Sequence, residues 1–135
     1  MNKEMYYYHA TFACCIKGIK KKGLGYSKFK NWDDSKSGVT YLCNDKDVAF
    51  DFCEGSDEVS DKVYDSGIVV LAIPKSAIDE RKLSADENII LEEDEEVYSY
   101  EYIGIIAPSD IFVITEDEDI VGRLTDLEKV PLYDD

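Results

Sequence analysis

The chain has 135 residues, of which 44% are hydrophobic and 12% aromatic. That is the length of one domain with enough apolar material for a packed core, which excludes a disordered acidic tail. Asp and Glu number 30 against 15 Lys and Arg, for a net charge of −15. The imbalance is uneven: residues 1–36 hold eight lysines and three acids, and residues 37–135 hold seven basic and 27 acidic side chains. A surface this acidic repels phosphate backbones and anionic lipids, which argues against nucleic-acid and membrane partners.

The opening MNKEMYYYHATF lacks the apolar stretch of a signal peptide, so the expected compartment is the cytoplasm. Cys14 and Cys15 are adjacent, and Cys43 and Cys53 complete no paired-spacing motif. Small buried thiols are expected rather than a disulfide framework or a zinc site, and no metal is called for.

In chain order, Tyr6 to Thr11 is short and aromatic and predicts a strand. Phe12 to Lys22 sets Cys15, Ile16 and Ile19 against Lys17, Lys20 and Lys21, the pattern of an amphipathic helix stopped by Gly23. Leu24 to Lys36, with Trp32, reads as a polar loop, and Val39 to Cys43 as a second strand. Asn44 is placed to cap a helix over Asp45 to Glu54, with Val48, Ala49 and Phe52 inward. GSDEVSDKVYDS reads as an exposed acidic connector, and GIVVLAIP, Gly67 to Pro74, as a central strand buried on both faces. SAIDERKL predicts a turn with a short helical piece. Further strands are expected over Asn88–Leu91 and Val97–Ile106, with the acidic turn EEDEE between, and a last strand over Asp110–Thr115. The acidic tail from Glu116 suggests a short helix around Ile120 to Leu127. The sum is a single α+β domain over 1–135, with 116–135 as an acidic C-terminal tail.

Three segments carry chemistry when taken together. The first is HATFACCIKGIKKKGL, with His9, Gly18–Ile19 and Gly23–Leu24. The second is YLCNDKDVAFDFC, with rings at Tyr41 and Phe52. The third is YEYIGIIAPSDI, with Glu101 between tyrosines. Alone, each has a plain structural explanation: a satisfied strand histidine, two core aromatics, a solvated glutamate. In this order and on these elements they resemble the His-Tyr-Glu branch of the ADP-ribosyltransferase fold. That branch includes poly-ADP-ribose polymerases, diphtheria-toxin-type catalytic domains and, more distantly, RNA 2′-phosphotransferases. The resemblance extends in outline over residues 5–115 and rests on these short motifs.

The resemblance implies an ADP-ribosyltransferase-like core, a split antiparallel or mixed β-sheet with two early helices. It also implies NAD as co-substrate. His9 would donate to the adenosine-side ribose, with Thr11 supporting it, and Ala10 would offer backbone groups to the carboxamide. Tyr41 and Phe52 would sandwich the nicotinamide, for which flat faces are suited. Glu101 would hold the nicotinamide-ribose hydroxyl and stabilise the cationic sugar that forms when the glycosidic bond breaks. The sequence departs from the polymerases in having Ala10 after the histidine, Ala49 where they carry the carboxamide-binding serine, Val48 in place of a lysine, and Phe52 as second ring. These departures point away from chain elongation and towards single transfer, or a degenerate fold kept for binding.

The leading expectation is therefore an NAD-dependent mono-ADP-ribosyltransferase, of toxin or anti-defence type, modifying a protein acceptor with a basic surface. A second reading is a non-catalytic acidic inhibitor or decoy of phage or mobile-element type, occupying a basic cleft through the acids of 45–65, 92–96 and 116–119. A third is an RNA 2′-phosphotransferase-like enzyme, which the scarcity of arginines, Arg81 and Arg123 alone, disfavours. The Lys17/Lys20/Lys21 face is read as solvated.

Overall fold

The computed structural model describes residues 5–25, 39–55, 60–85, 99–115, 117 and 119–132. The expected strand at Asn88–Leu91, the EEDEE turn and the loop around Trp32 lie outside the described residues.

Among the described residues seven strands form one antiparallel sheet: β1 (Tyr6–Phe12), β2 (Val39–Cys43), β3 (Ile68–Pro74), β4 (Leu83–Ala85), β5 (Ser99–Ile103), β6 (Phe112–Ile114) and β7 (Ile120–Arg123). Their order across the sheet is β4-β5-β2-β1-β3-β6-β7, so the first strand sits at the centre. Three helices of the described residues accompany them: α1 (Ile16–Lys22), α2 (Lys46–Glu54) and α3 (Asp61–Asp65). The architecture is mixed α+β, as the composition of the elements predicts.

β3 earns its inner position through hydrophobicity. Val69, Val70, Leu71, Ala72 and Ile73 are fully buried, and each large aliphatic withdrawn from water contributes about 1.5–3 kcal/mol. Alternation along β1 and β3 divides the core. Val69, Leu71 and Ile73 join Ile16 and Ile19 of α1, with Leu24, Leu42, Tyr102 and Ile106, on one face. Tyr8, Val70 and Ala72 join Ala49 of α2, with Cys43 and Ile114, on the other. α2 packs chiefly against β1 and β3.

Gly23 ends α1, and its amide closes the helix onto the Ile19 carbonyl at 2.8 Å. With φ at 81°, a side chain is disfavoured there, and a Cβ would meet the Ile106 carbonyl oxygen at 2.1 Å. The glycine thus lets Leu24 exchange two 3.0 Å hydrogen bonds with Ile106.

Several expectations are corrected. The first helix begins at Ile16, after a 3-10 turn over Ala13–Cys15, and Cys14 and Cys15 are exposed rather than buried. Asp45, not Asn44, caps α2, its carboxylate accepting from the Asp47 amide at 2.7 Å. Lys46, Ala49 and Cys53 form that helix's buried stripe, whereas Val48 is half-buried and Phe52 is 40% exposed. The acidic connector contains α3, capped by Ser60. Asp110–Thr115 does not hold the last strand: β7 follows, and the tail forms that strand and a 3-10 turn over Leu124–Asp126 instead of a helix. Pairing with β6 overrode the weak helical pattern there, since an edge strand needs only a neighbour with free backbone groups.

Candidate active site at a split in the sheet

The sheet is two well-paired halves joined through a narrow contact. β1 and β3 pair at seven positions, from Tyr6 opposite Pro74 to Phe12 opposite Ile68. β2 and β5 pair at five, from Val39 opposite Ile103 to Cys43 opposite Ser99. Between the halves, β1 and β2 are in register at Tyr8 and Cys43 alone among the described residues.

His9 lies beside that contact. Its Nδ1 donates to the backbone carbonyl of Tyr41 across 2.8 Å, linking β1 to β2 beyond the last register pair. A carbonyl oxygen can only accept, so Nδ1 carries the proton, and the neutral ring keeps its lone pair on Nε2. Loss of water around the half-buried ring pulls its pKa below the ordinary histidine value. The bond to Tyr41 pulls weakly the other way. The ring is therefore held neutral at physiological pH, which matches the tautomer that the hydrogen bond requires.

Tyr41 in turn stands directly opposite Glu101 on β5. Opposed residues in an antiparallel ladder share a face, so the Tyr41 ring and the Glu101 carboxylate project together. Glu101 is only 2% exposed, so it is not the solvated strand glutamate of the plain reading. On its other side, β4 places Ser84 opposite Glu101. His9, paired with Leu71, projects with the α1-side core. It meets the Tyr41–Glu101 pair through the Tyr41 backbone.

The remaining candidates are placed less closely. Ala10 pairs with Val70 and packs against the α2-side core, and Thr11 pairs with Val69. Ala49 is 4% exposed and fills the core with Tyr8, Cys43, Val70 and Ala72. Phe52 stands on the outer flank of α2, and the inward orientation expected of it is not found. The tyrosines before His9 are packing residues: Tyr8 is buried, and the Tyr7 ring meets Tyr100 edge-on at 5.5 Å beneath Lys75. Desolvation, then Tyr100 and Glu80, push the Tyr7 hydroxyl pKa upward.

Ser84 was not singled out in the sequence. A three-residue edge strand has no periodicity to read, and its importance comes from the register alone. Among the described residues, no group of three or more His, Cys, Asp or Glu side chains is placed to hold a metal ion. No helix of those residues is long and apolar enough to cross a membrane. No family model matches the chain, and no curated protein or solved structure matches it.

Proposed function

We propose that the chain is an NAD-consuming transferase of the His-Tyr-Glu class. More particularly, it would be a mono-ADP-ribosyltransferase acting on a protein acceptor with a basic surface. The observation that carries this reading is that His9 on β1 is hydrogen-bonded to the backbone of Tyr41 on β2, which stands opposite the buried Glu101 on β5, where the sheet divides. The three motifs lie far apart in the chain, and the pairing of β2 with β5 and the His9–Tyr41 hydrogen bond link them.

The chemistry asks little beyond positioning and charge. Nicotinamide leaves as a neutral base when the C1–N bond breaks and its electron pair goes to the ring nitrogen. The sugar left behind is cation-like, and a nearby carboxylate stabilises it. Glu101, buried in the sheet, would act there with little reorganisation, and Tyr41 on the same face would offer an aromatic surface. The neutral His9, with Nδ1–H committed to Tyr41, offers Nε2 as an acceptor. A ribose hydroxyl would therefore donate to it, the reverse of the direction that the resemblance implies. Ala49, taken up in the core, supplies no hydroxyl for the carboxamide. That favours a single transfer with modest nicotinamide affinity over polymer growth.

The test is release of nicotinamide from labelled NAD, and transfer of label to protein in a cell extract, by the purified chain and by Glu101→Gln. Wild type should do both, and the variant should lose both by roughly a hundredfold or more. Equal behaviour of wild type and variant would sink the assignment.

A further inference from the structure

We propose that Ser84 and Ile103 form the acceptor side of Glu101 and take a basic protein segment with an apolar side chain beside the residue to be modified. The inference rests on the transferase reading above. It adds the direction from which the acceptor comes and what the acceptor must carry.

Register fixes the geometry. Glu101 has Tyr41 opposite it on β2 and Ser84 opposite it on β4. Such cross-strand neighbours share a face with Cβ atoms about 4.5–5.5 Å apart. Ile103 lies two residues further along β5, on the face of Glu101 and roughly 7 Å away along the strand. The two flanks of the carboxylate differ. On the Tyr41 flank lies the split between the half-sheets, where NAD would sit. Among the described residues β4 is the outermost strand on this side, and Ser84 itself is exposed.

Exposure changes sharply across these positions. Glu101 is 2% exposed, Ile103 is 60% exposed, and the Ser84 side is open to solvent. Ile103 does not belong to a fraying end. Its backbone pairs with Val39, and just beyond it Leu24 and Ile106 exchange two 3.0 Å hydrogen bonds. Gly25 lies so close to Gly104 that a Cβ would stand 2.2 Å from the Gly104 carbonyl oxygen. An isoleucine held rigidly in water forfeits transfer free energy that an apolar partner side chain recovers. The chain as a whole carries a net charge of −15, which draws a basic segment rather than an acidic one to its surface.

In the transfer, a lone pair of the acceptor forms the new bond to C1 as the C1–N bond breaks. The acceptor's proton passes to the Glu101 carboxylate and then to water. Ser84 makes and breaks no covalent bond; its hydroxyl hydrogen-bonds the incoming nucleophile and so is a positioning group.

The experiment uses the full chain, labelled NAD and lysine-rich synthetic decapeptides carrying one Ser, Arg or Glu between leucines or between glycines. Nicotinamide release with water as acceptor is followed alongside transfer to peptide, for wild type, Ser84→Ala, Ile103→Asn and Ile103→Leu. Wild type should prefer the leucine-flanked peptides. Ser84→Ala and Ile103→Asn should raise the peptide KM and lower the ratio of transfer to release by roughly tenfold, with Ile103→Leu restoring it. Wild-type ratios in both damaging variants would overturn the acceptor side and leave the transferase reading standing. So would parallel loss of release and transfer, which would place these residues on the NAD side or in the fold. A wild type that releases no nicotinamide and labels no peptide would overturn both.

Discussion

His9 and Tyr41 are 32 residues apart in the chain, yet Nδ1 of the imidazole donates to the Tyr41 carbonyl over 2.8 Å where β1 and β2 have parted. One ring therefore does two things. Its Nδ1 side ties the half-sheets together, and in the proposed transferase its Nε2 side would accept from a ribose hydroxyl. One substitution separates these roles, because the Asn amide nitrogen mimics Nδ1 and leaves nothing at the position of Nε2. His9→Asn should retain most of the stability and lose NAD binding. His9→Ala should lose both, with about 1 kcal/mol of stability gone along with the hydrogen bond. Urea unfolding beside NAD titration checks this, and equal unfolding midpoints for the Ala and Asn variants would remove the linking role.

The same histidine sets a pH dependence whose sign is fixed by its depressed pKa. A ring held neutral in the fold takes up a proton more readily once the chain unfolds. The unfolded state therefore binds more protons as pH falls below the ordinary value of 6.5, and stability drops with it. The contribution is complete above that value and is lost over the window between it and the lower native pKa. With 30 acids in the chain, other titrations overlap this one. The difference in unfolding free energy between wild type and His9→Asn isolates it. That difference should be flat above pH 6.5 and shift against wild type below it. A pH-independent difference would mean that His9 is not held neutral.

The strong periodic segments were legible: GIVVLAIP is a buried strand because nothing polar interrupts it, and Gly23 stops α1 where the pattern says. The candidate site was legible as residue types but not as an arrangement. Glu101 could be suspected from its setting between tyrosines, whereas its burial and its pairing with Tyr41 depend on register between strands some 60 residues apart. No local pattern encodes that. The cap of α2 was misplaced by one residue because Asn44 and Asp45 are equally good cap types, and tertiary contacts chose between them. Phe52 was misplaced because Val48 and Ala49 suggested a stripe that Lys46, Ala49 and Cys53 in fact occupy. A buried lysine near a helix start is not a pattern that hydrophobicity reports.

Two glycines of the early segment should respond oppositely to alanine. Gly18 is exposed within α1, with nothing within 4 Å of an added Cβ. Gly18→Ala should stabilise by about 0.5–1 kcal/mol through helix propensity. Gly23→Ala should destabilise by roughly 2–3 kcal/mol or more, since the positive φ and the Ile106 carbonyl both oppose a side chain. The Leu24–Ile106 bridge would loosen with it, so amide exchange at Ile106 should accelerate in Gly23→Ala and not in Gly18→Ala. Equal exchange in the two variants would separate the glycine from the bridge.

The four thiols should report independently on how α2 lies over the sheet. Cys14 and Cys15 are exposed, and Cys43 and Cys53 are buried. Burial, with Cys15 adding repulsion, pushes the Cys53 thiol up to about 12. Cys15 is itself raised, first by desolvation and then by Cys14. Alkylating reagents attack the thiolate, so both access and pKa slow the reaction. Brief treatment of the folded chain with iodoacetamide at about pH 8 should modify Cys14 first and Cys15 more slowly. Cys43 and Cys53 should react only after denaturant is added, as read by peptide mass spectrometry. Modification of Cys53 in the folded chain at the rate of Cys14 would mean that the last turn of α2 does not cover Phe12 and Ile68, the residues with which Cys53 forms its core cluster.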